Sequence, residues 1–230
     1  MSETRPIALH RHPKPHRELA RRYRRYISEL EIRRSILSSI AVFAFSVGIS
    51  SYAIQYATEK ASNPVSDIIL SNTSPRDVDG LFVFGTIMLI AYIALLLLAH
   101  PKRIPFVLYS LALFFFIRSA FITFTHVGPF PVPPVGNDWG SLARHFLFSS
   151  DLFFSAHTGA PFLLALIFWR DRVLRGAFLA WSVFLAMVVL LGHLHYTIDV
   201  ASAYFITFTI YCIAEYLFPK ARALFYSDLR

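Results

Sequence analysis

Six apolar runs, at about residues 35–57, 81–99, 104–126, 156–169, 176–193 and 198–218, leave this chain few ways to fold. A helix needs about 20 apolar residues to cross a bilayer. Hydrocarbon offers exposed peptide groups no partner, and a helix satisfies its own. The fourth run is short and the fifth barely long enough, but both meet polar motifs at their ends, so we extend them and expect six transmembrane helices. Composition agrees: 56% of the residues are hydrophobic and 16% charged, where a soluble domain carries nearer a quarter charged. The single cysteine, Cys212, lies inside an apolar run, so the chain can form neither an internal disulfide nor a cysteine-based metal centre.

The net charge of +8 would suggest nucleic acid in a soluble protein, but its distribution here points to topology and not to a polyanion partner. Residues 1–34, the turn His100–Arg103, the segment Trp169–Arg175 and the C-terminal tail hold 18 lysines and arginines; the alternate loops hold Lys60, Arg76 and Arg144. The positive-inside rule then places both termini in the cytoplasm. Three domains are expected: a basic N-terminal segment (1–34), a six-helix membrane domain (35–218) and a cytoplasmic tail (219–230).

The N-terminal segment opens with His10, His12, Pro13, Pro15 and His16, which argue against early regular structure. Beyond it, Leu19, Tyr23, Tyr26, Ile27 and Leu30 recur at helical steps, and Glu18 with Arg22 and Glu29 with Arg33 form favourable pairs four residues apart. This pattern predicts a basic amphipathic helix on an anionic leaflet, the alternative being a solvated flank that only sets orientation.

Polar residues that border a membrane span are costly and invite a functional explanation. On this topology His157, His195 and Asp199 all meet at the extracytoplasmic face. His195 and Asp199 are four apart, so a helix beginning near Tyr196 brings the carboxylate to the imidazole, fixes its tautomer and leaves the other nitrogen free to attack or to act as a base. A helix-capping His and Asp pair would have the same spacing. Arg118 lies among Phe114, Phe115, Phe116, Phe121 and Phe124 and requires a partner or a wet cavity, either a substrate phosphate or an ion pair. Asp151 could bind a cationic headgroup, orient a histidine or cap a helix. No metal and no cofactor are expected, since His193 and His195 diverge on a helix and lack further ligands.

The blocks Asp151-x-x-x-Ser155-Ala156-His157-Thr158 and His195-Tyr196-Thr197-Ile198-Asp199-Val200 resemble the two signature motifs of the sphingomyelin synthase family, a branch of the lipid phosphate phosphatase superfamily. Those motifs read C-G-D-x-x-x-S-G-H-T and H-Y-T/S-x-D-V. The chain departs from them at Ser149-Ser150 and at Ala156. Arg118-Ser119-Ala120-Phe121-Ile122-Thr123 is similar to the family's third-span arginine motif, and Ser74 to Asp79 is a looser echo of its acidic approach to span two. The likeness covers roughly residues 70–215. It implies that His195 is a nucleophile toward phosphorus, that Asp199 orients it and that His157 serves the leaving and incoming lipid oxygens; Arg118 and Asp151 are the candidate substrate contacts, beside the ion-pair and capping alternatives.

Phosphomonoesterases of that superfamily add a Lys/Arg block and a Ser-Arg just before the second histidine. Here the residues before His195 include Met187-Val188-Val189-Leu190-Leu191-Gly192, with no cation. The resemblance therefore implies a headgroup phosphotransferase, moving phosphocholine or phosphoethanolamine from a glycerophospholipid to a ceramide-like or diacylglycerol-like acceptor, or to water. The alternatives are a lipid phosphate phosphatase and a non-enzymatic transporter or scaffold. The expected partners are membrane lipids; nucleic acid is not expected, and homo-oligomerisation stays open.

Overall fold

The computed structural model of the protein describes residues 29–131 and 153–227. Asp151, Arg144 and the expected amphipathic helix before residue 29 lie outside the described residues. Among those that are described the chain is all-helical, with seven α-helices and no strand: α1 (Leu30–Glu59), α2 (Asp79–Ala99), α3 (Ile104–Phe124), α4 (Ala156–Ile167), α5 (Arg172–Leu191), α6 (Thr197–Leu217) and α7 (Pro219–Ser227). Short 3₁₀ turns at Leu70–Asn72 and Pro101–Arg103 interrupt the connections.

Five of these helices are long and apolar enough to cross a membrane: α1, α2, α3 with the turn before it, α5 and α6. The fourth run forms a helix of only 12 residues, about 18 Å at 1.5 Å per residue and short of a hydrocarbon core of about 30 Å. It ends at Ile167 with a turn through Asp171. The residues that would lengthen it at the other end lie outside those described.

Burial follows a membrane logic. Large apolar side chains such as Phe45, Phe84, Ile90, Leu95, Val173 and Phe205 face outward, while Ser39, Ser46, Ser110, Ser182 and Thr207 are buried between helices. Lipid tails are as apolar as leucine, so packing between spans depends on close backbone approach through small residues. In α1 the buried face consists of Ile32, Ser39, Ser46, Ser50, Ala53 and Ala57. This helix packs along α3, where Phe43 meets Phe115, Phe45 meets Phe116, and Ser38 Oγ lies 2.7 Å from the Tyr109 hydroxyl. Ser39 and Ser46 donate back to the carbonyls of Ile36 and Phe43, so their hydroxyls are satisfied within the seam.

The second half of the chain surrounds α4, which lies between α5 and α6. Ser182 Oγ on α5 donates to the Thr158 carbonyl of α4 at 2.7 Å, and Trp181 Nε1 on α5 donates to the Gly85 carbonyl of α2 at 3.0 Å. Phe106, Phe114, Phe154, Phe168, Phe178 and Phe225 fill the core between α3, α4, α5 and α7. Asp171 caps α5 by accepting from the N–H groups of Val173 and Leu174.

Hydrogen bonds bring six helix ends together. Ser62 N–H donates to the His126 carbonyl, Arg76 N–H to the Leu191 carbonyl and Ser155 N–H to the Asp199 carbonyl, so the ends of α1, α3 and α5 and the starts of α2, α4 and α6 share one end of the bundle. The opposite end collects cations over aromatic rings: Arg103 over Phe168 and Phe225, Arg170 over Tyr226 and Arg175 over Trp169.

Gly159 sets the closest approach of α4. A Cβ there would lie 2.8 Å from both the Phe114 ring and Thr207 Oγ1, and neither Phe114 nor Thr207 is exposed to solvent. Gly159→Ala is expected to destabilise the protein by about 1–3 kcal/mol through overpacking. Gly176→Ala, where nothing lies within 4 Å, should be neutral or stabilising by up to about 1 kcal/mol; thermal unfolding of the two variants in detergent checks the contrast.

Candidate active site

Two turns at the shared end carry the chemistry-bearing residues. The first precedes α4: Ser155 is the N-cap residue, its side chain accepts from Thr158 N–H at 3.4 Å, and His157 stands in the first turn. The second joins α5 to α6. There Leu194 N–H reaches the Val189 carbonyl and His193 N–H the Leu190 carbonyl, the paired bonds of a Schellman ending. That motif requires a left-handed residue, a position glycine usually fills; here His193 takes it with φ of 54°. Gly192 before it has an ordinary φ of −82° and is needed for another reason, since a Cβ there would lie 2.4 Å from Val78 Cγ2.

The tight ending lets α6 start at Thr197 and points His195 back over its first turn. His195 Nδ1 lies 3.4 Å from Asp199 Oδ2, with both side chains buried. The same Oδ2 accepts the Tyr196 N–H at 3.0 Å. One carboxylate oxygen thus faces both the imidazole and the helix start. With its proton on Nδ1, His195 keeps the Nε2 lone pair for chemistry.

His157 stands opposite. Its ring centroid is 6.3 Å from that of His195 and 4.5 Å from that of Phe82 on α2. The Ser155–Asp199 backbone hydrogen bond, at 3.0 Å, ties the two turns together. Arg118 is almost fully buried and donates from Nε to the Phe154 carbonyl at 2.9 Å. It therefore braces the chain three residues before His157. The sequence-derived set of His157, His195, Asp199 and Arg118 converges on one place, while Asp151 lies outside the described residues.

Sequence reasoning passed over a second layer of polar groups. Asp67, between α1 and α2, accepts hydrogen bonds from both the backbone and the hydroxyl of Thr197. Burial pushes its carboxyl pKa up, but hydrogen bonds from Leu70, Thr197 and Ile69 outweigh this and hold it below the ordinary 3.8. Thr73 Oγ1 lies 3.2 Å from His193 Nε2, and Phe130 stands edge-on to both His193 and Tyr196. The Tyr196 hydroxyl donates to the Gly128 carbonyl and accepts from Val65 N–H. These partners are 120 or more residues apart in the chain for His193 with Thr73 and for Thr197 with Asp67, so no local spacing could have announced them.

His193 is buried, and no hydrogen-bond partner of its Nδ1 is found among the described residues. Burial lowers its pKa from 6.5, against the smaller pull of the Asp67 charge. The unfolded chain thus takes up a proton that the folded one resists. The stability contributed by neutral His193 is complete above pH 6.5 and falls as the pH drops below it. His193→Asn keeps a side chain that tolerates the left-handed position and removes the titration. Between pH 7.5 and 5 its unfolding midpoint should fall less than that of the wild type, a difference thermal scans at the two pH values measure directly.

Comparison with known proteins adds one match: residues 149–216, which carry Ser155, His157, His195 and Asp199, fit the family described as PAP2 superfamily C-terminal. Searches of curated proteins and of solved structures each returned no match. The matched segment is similar to a superfamily whose members are phosphatases and phosphotransferases, and the chain carries five helices long and apolar enough to cross a membrane.

Proposed function

We propose that the protein is a phospholipid headgroup phosphotransferase that works through a histidine nucleophile at the extracytoplasmic face. One observation carries the reading: a buried His195–Asp199 pair faces His157 across a centroid separation of 6.3 Å, a gap on the scale of one phosphate group. Asp199 holds the Nδ1 proton of His195, and Nε2 attacks the phosphorus of a phosphodiester lipid. The N–P bond forms as the bond from phosphorus to the glycerol oxygen breaks. His157, protonated, gives its proton to that oxygen and releases diacylglycerol. The phosphoramidate then carries the headgroup. An incoming lipid hydroxyl or water surrenders its proton to His157, its oxygen attacks phosphorus, and the N–P bond breaks to regenerate His195. Asp199 stabilises the imidazolium character that develops at each step.

The donor is a phosphatidylcholine or phosphatidylethanolamine type, and the acceptor a ceramide-like or diacylglycerol-like alcohol, or water. The absence of a cation among the six residues before His193 favours a singly charged diester over a dianionic monoester. Arg118 supplies positive charge beside the His157 turn, and the proposal retains Asp151 as a headgroup contact. An apolar groove between α2 and α5, lined by Leu81, Phe84, Gly85, Met88, Trp181 and Phe184, begins next to Phe82, whose ring lies against His157. An acyl chain in this groove would hold the headgroup at the histidines. The cations at the opposite end of the bundle support the orientation, because the positive-inside rule puts that end in the cytoplasm.

The test is the purified protein in lipid vesicles, given labelled phosphodiester and phosphomonoester lipids with and without a lipid alcohol. His195→Ala and His157→Ala should each reduce headgroup transfer by about 10²–10⁴-fold. His157→Gln should accumulate acid-labile label on His195 from a donor activated at its leaving group. Full turnover by both alanine variants would sink the proposal, and inorganic phosphate released from monoesters as the main product would favour the phosphatase alternative.

A further inference from the structure

Asp67 belongs to none of the motifs that point to the site, yet its carboxylate accepts four hydrogen bonds beside it. Oδ1 accepts from Ile69 N–H at 2.9 Å, Leu70 N–H at 3.0 Å and the Thr197 hydroxyl at 2.7 Å; Oδ2 accepts from Thr197 N–H at 2.7 Å. Thr197 is the first residue of α6, two after His195 and two before Asp199. A helix start leaves backbone N–H groups without partners inside the helix, and a side chain at the preceding position normally serves them. Tyr196 holds that position, and its hydroxyl is engaged at Gly128 and Val65 instead. A carboxylate 130 residues upstream therefore serves the first N–H of the helix.

The same loop grips the other side of the turn. Thr73 Oγ1 lies 3.2 Å from His193 Nε2, and Arg76 N–H donates to the Leu191 carbonyl at 2.9 Å. His195 sits between these two anchors. The carboxylate also places negative charge where the helix dipole favours it, and its depressed pKa keeps it ionised across the range in which a histidine nucleophile operates.

We propose that Asp67 is a positioning residue for the His195–Asp199 pair: by holding both the N–H and the hydroxyl of Thr197, it fixes where α6 begins and keeps the imidazole aligned with Asp199 and His157. This rests on His195 and Asp199 being the reacting pair. If the clasp loosens, the first turn of α6 can fray and the 3.4 Å contact between His195 and Asp199 loses one of its supports, leaving the bonds of Asp199 to Tyr196 and Ser155. Displacements on the order of 1 Å at a reacting group cost about 10²-fold in rate. The residue acts without touching substrate.

The test uses the full chain in lipid vesicles with Asp67→Asn, Thr197→Val and Thr197→Ser. Asp67→Asn preserves shape but turns an N–H₂ toward a donor; Thr197→Val removes the hydroxyl, and Thr197→Ser restores it. Two readouts are taken: kcat and KM for a phosphatidylcholine donor, and the pH dependence of modification of His195 and His157 by diethylpyrocarbonate, followed by mass spectrometry without any substrate. Asp67→Asn and Thr197→Val should lower kcat about tenfold or more with KM changed less than about twofold, and Thr197→Ser should return to near the wild-type value. The His195 modification profile should shift in the two damaging variants while that of His157 stays in place.

Unchanged kcat together with an unchanged His195 profile would overturn the proposal. So would a fall in thermal midpoint with both histidines altered alike, which is what a structural staple predicts. If the wild type turns over no phospholipid, the proposed function fails, and the His195 profile alone then decides on Asp67. If Asp67→Asn does not fold, the Thr197→Val and Thr197→Ser pair carries the test.

Discussion

A backbone N–H or C=O that meets hydrocarbon without a partner costs several kcal/mol, and the six helix ends gathered at one end of this bundle are where that cost would fall. The bond from Ser155 N–H to the Asp199 carbonyl spends a peptide group on each side to join α4 to α6. It also fixes the distance between the two turns that carry His157 and His195. The neighbouring bonds Ser62–His126 and Arg76–Leu191 do the same for the loops that cover them. Satisfaction of helix ends and assembly of the candidate site are thus one process: the groups that close the helices hold the histidines in place.

The Schellman ending of α5 extends this logic to a residue under strain. A histidine in the left-handed region costs on the order of 1–2 kcal/mol, which glycine would avoid. Its side chain recovers a hydrogen bond to Thr73 and an edge contact with Phe130, and the ring closes the turn against the covering loops. The turn is short because of it, and a short turn is what brings His195 within reach of Asp199 before α6 has completed its first turn. Arg118 contributes similarly on the other side through the Phe154 carbonyl. Its burial among phenylalanines makes the guanidinium a stiff brace, because a planar charged group with so little exposure cannot move without losing its partners.

Much of this could be read in the sequence because it is local. Apolar runs of helical length gave five of the long helices to within a few residues, with α6 starting one residue after Tyr196 as the spacing required. The four-residue step from His195 to Asp199 became a real contact, since i and i+4 meet on any helix. The fourth run, 156–169, corresponds to α4 to within two residues, and its extension to a full span is not seen among the described residues. Local reasoning failed for Asp67 and Thr73, whose partners are fixed by the fold and not by the chain.

What the buried polar layer adds is a reason for the fold to keep costly groups in place. Asp67, His193, Asp199 and Arg118 are all nearly inaccessible, and burying such groups carries a desolvation cost that their hydrogen-bond partners must offset. Three of the four act on the two histidine turns directly: Asp67 through Thr197, Asp199 through His195 and Arg118 through Phe154. In the proposed transfer, a phosphoryl group taken up by His195 while His157 moves the proton tolerates little play, because the attacking nitrogen and departing oxygen must stay roughly in line with phosphorus. Rigid placement of two imidazoles by a layer of charged and hydrogen-bonded groups behind them is the arrangement such a transfer demands.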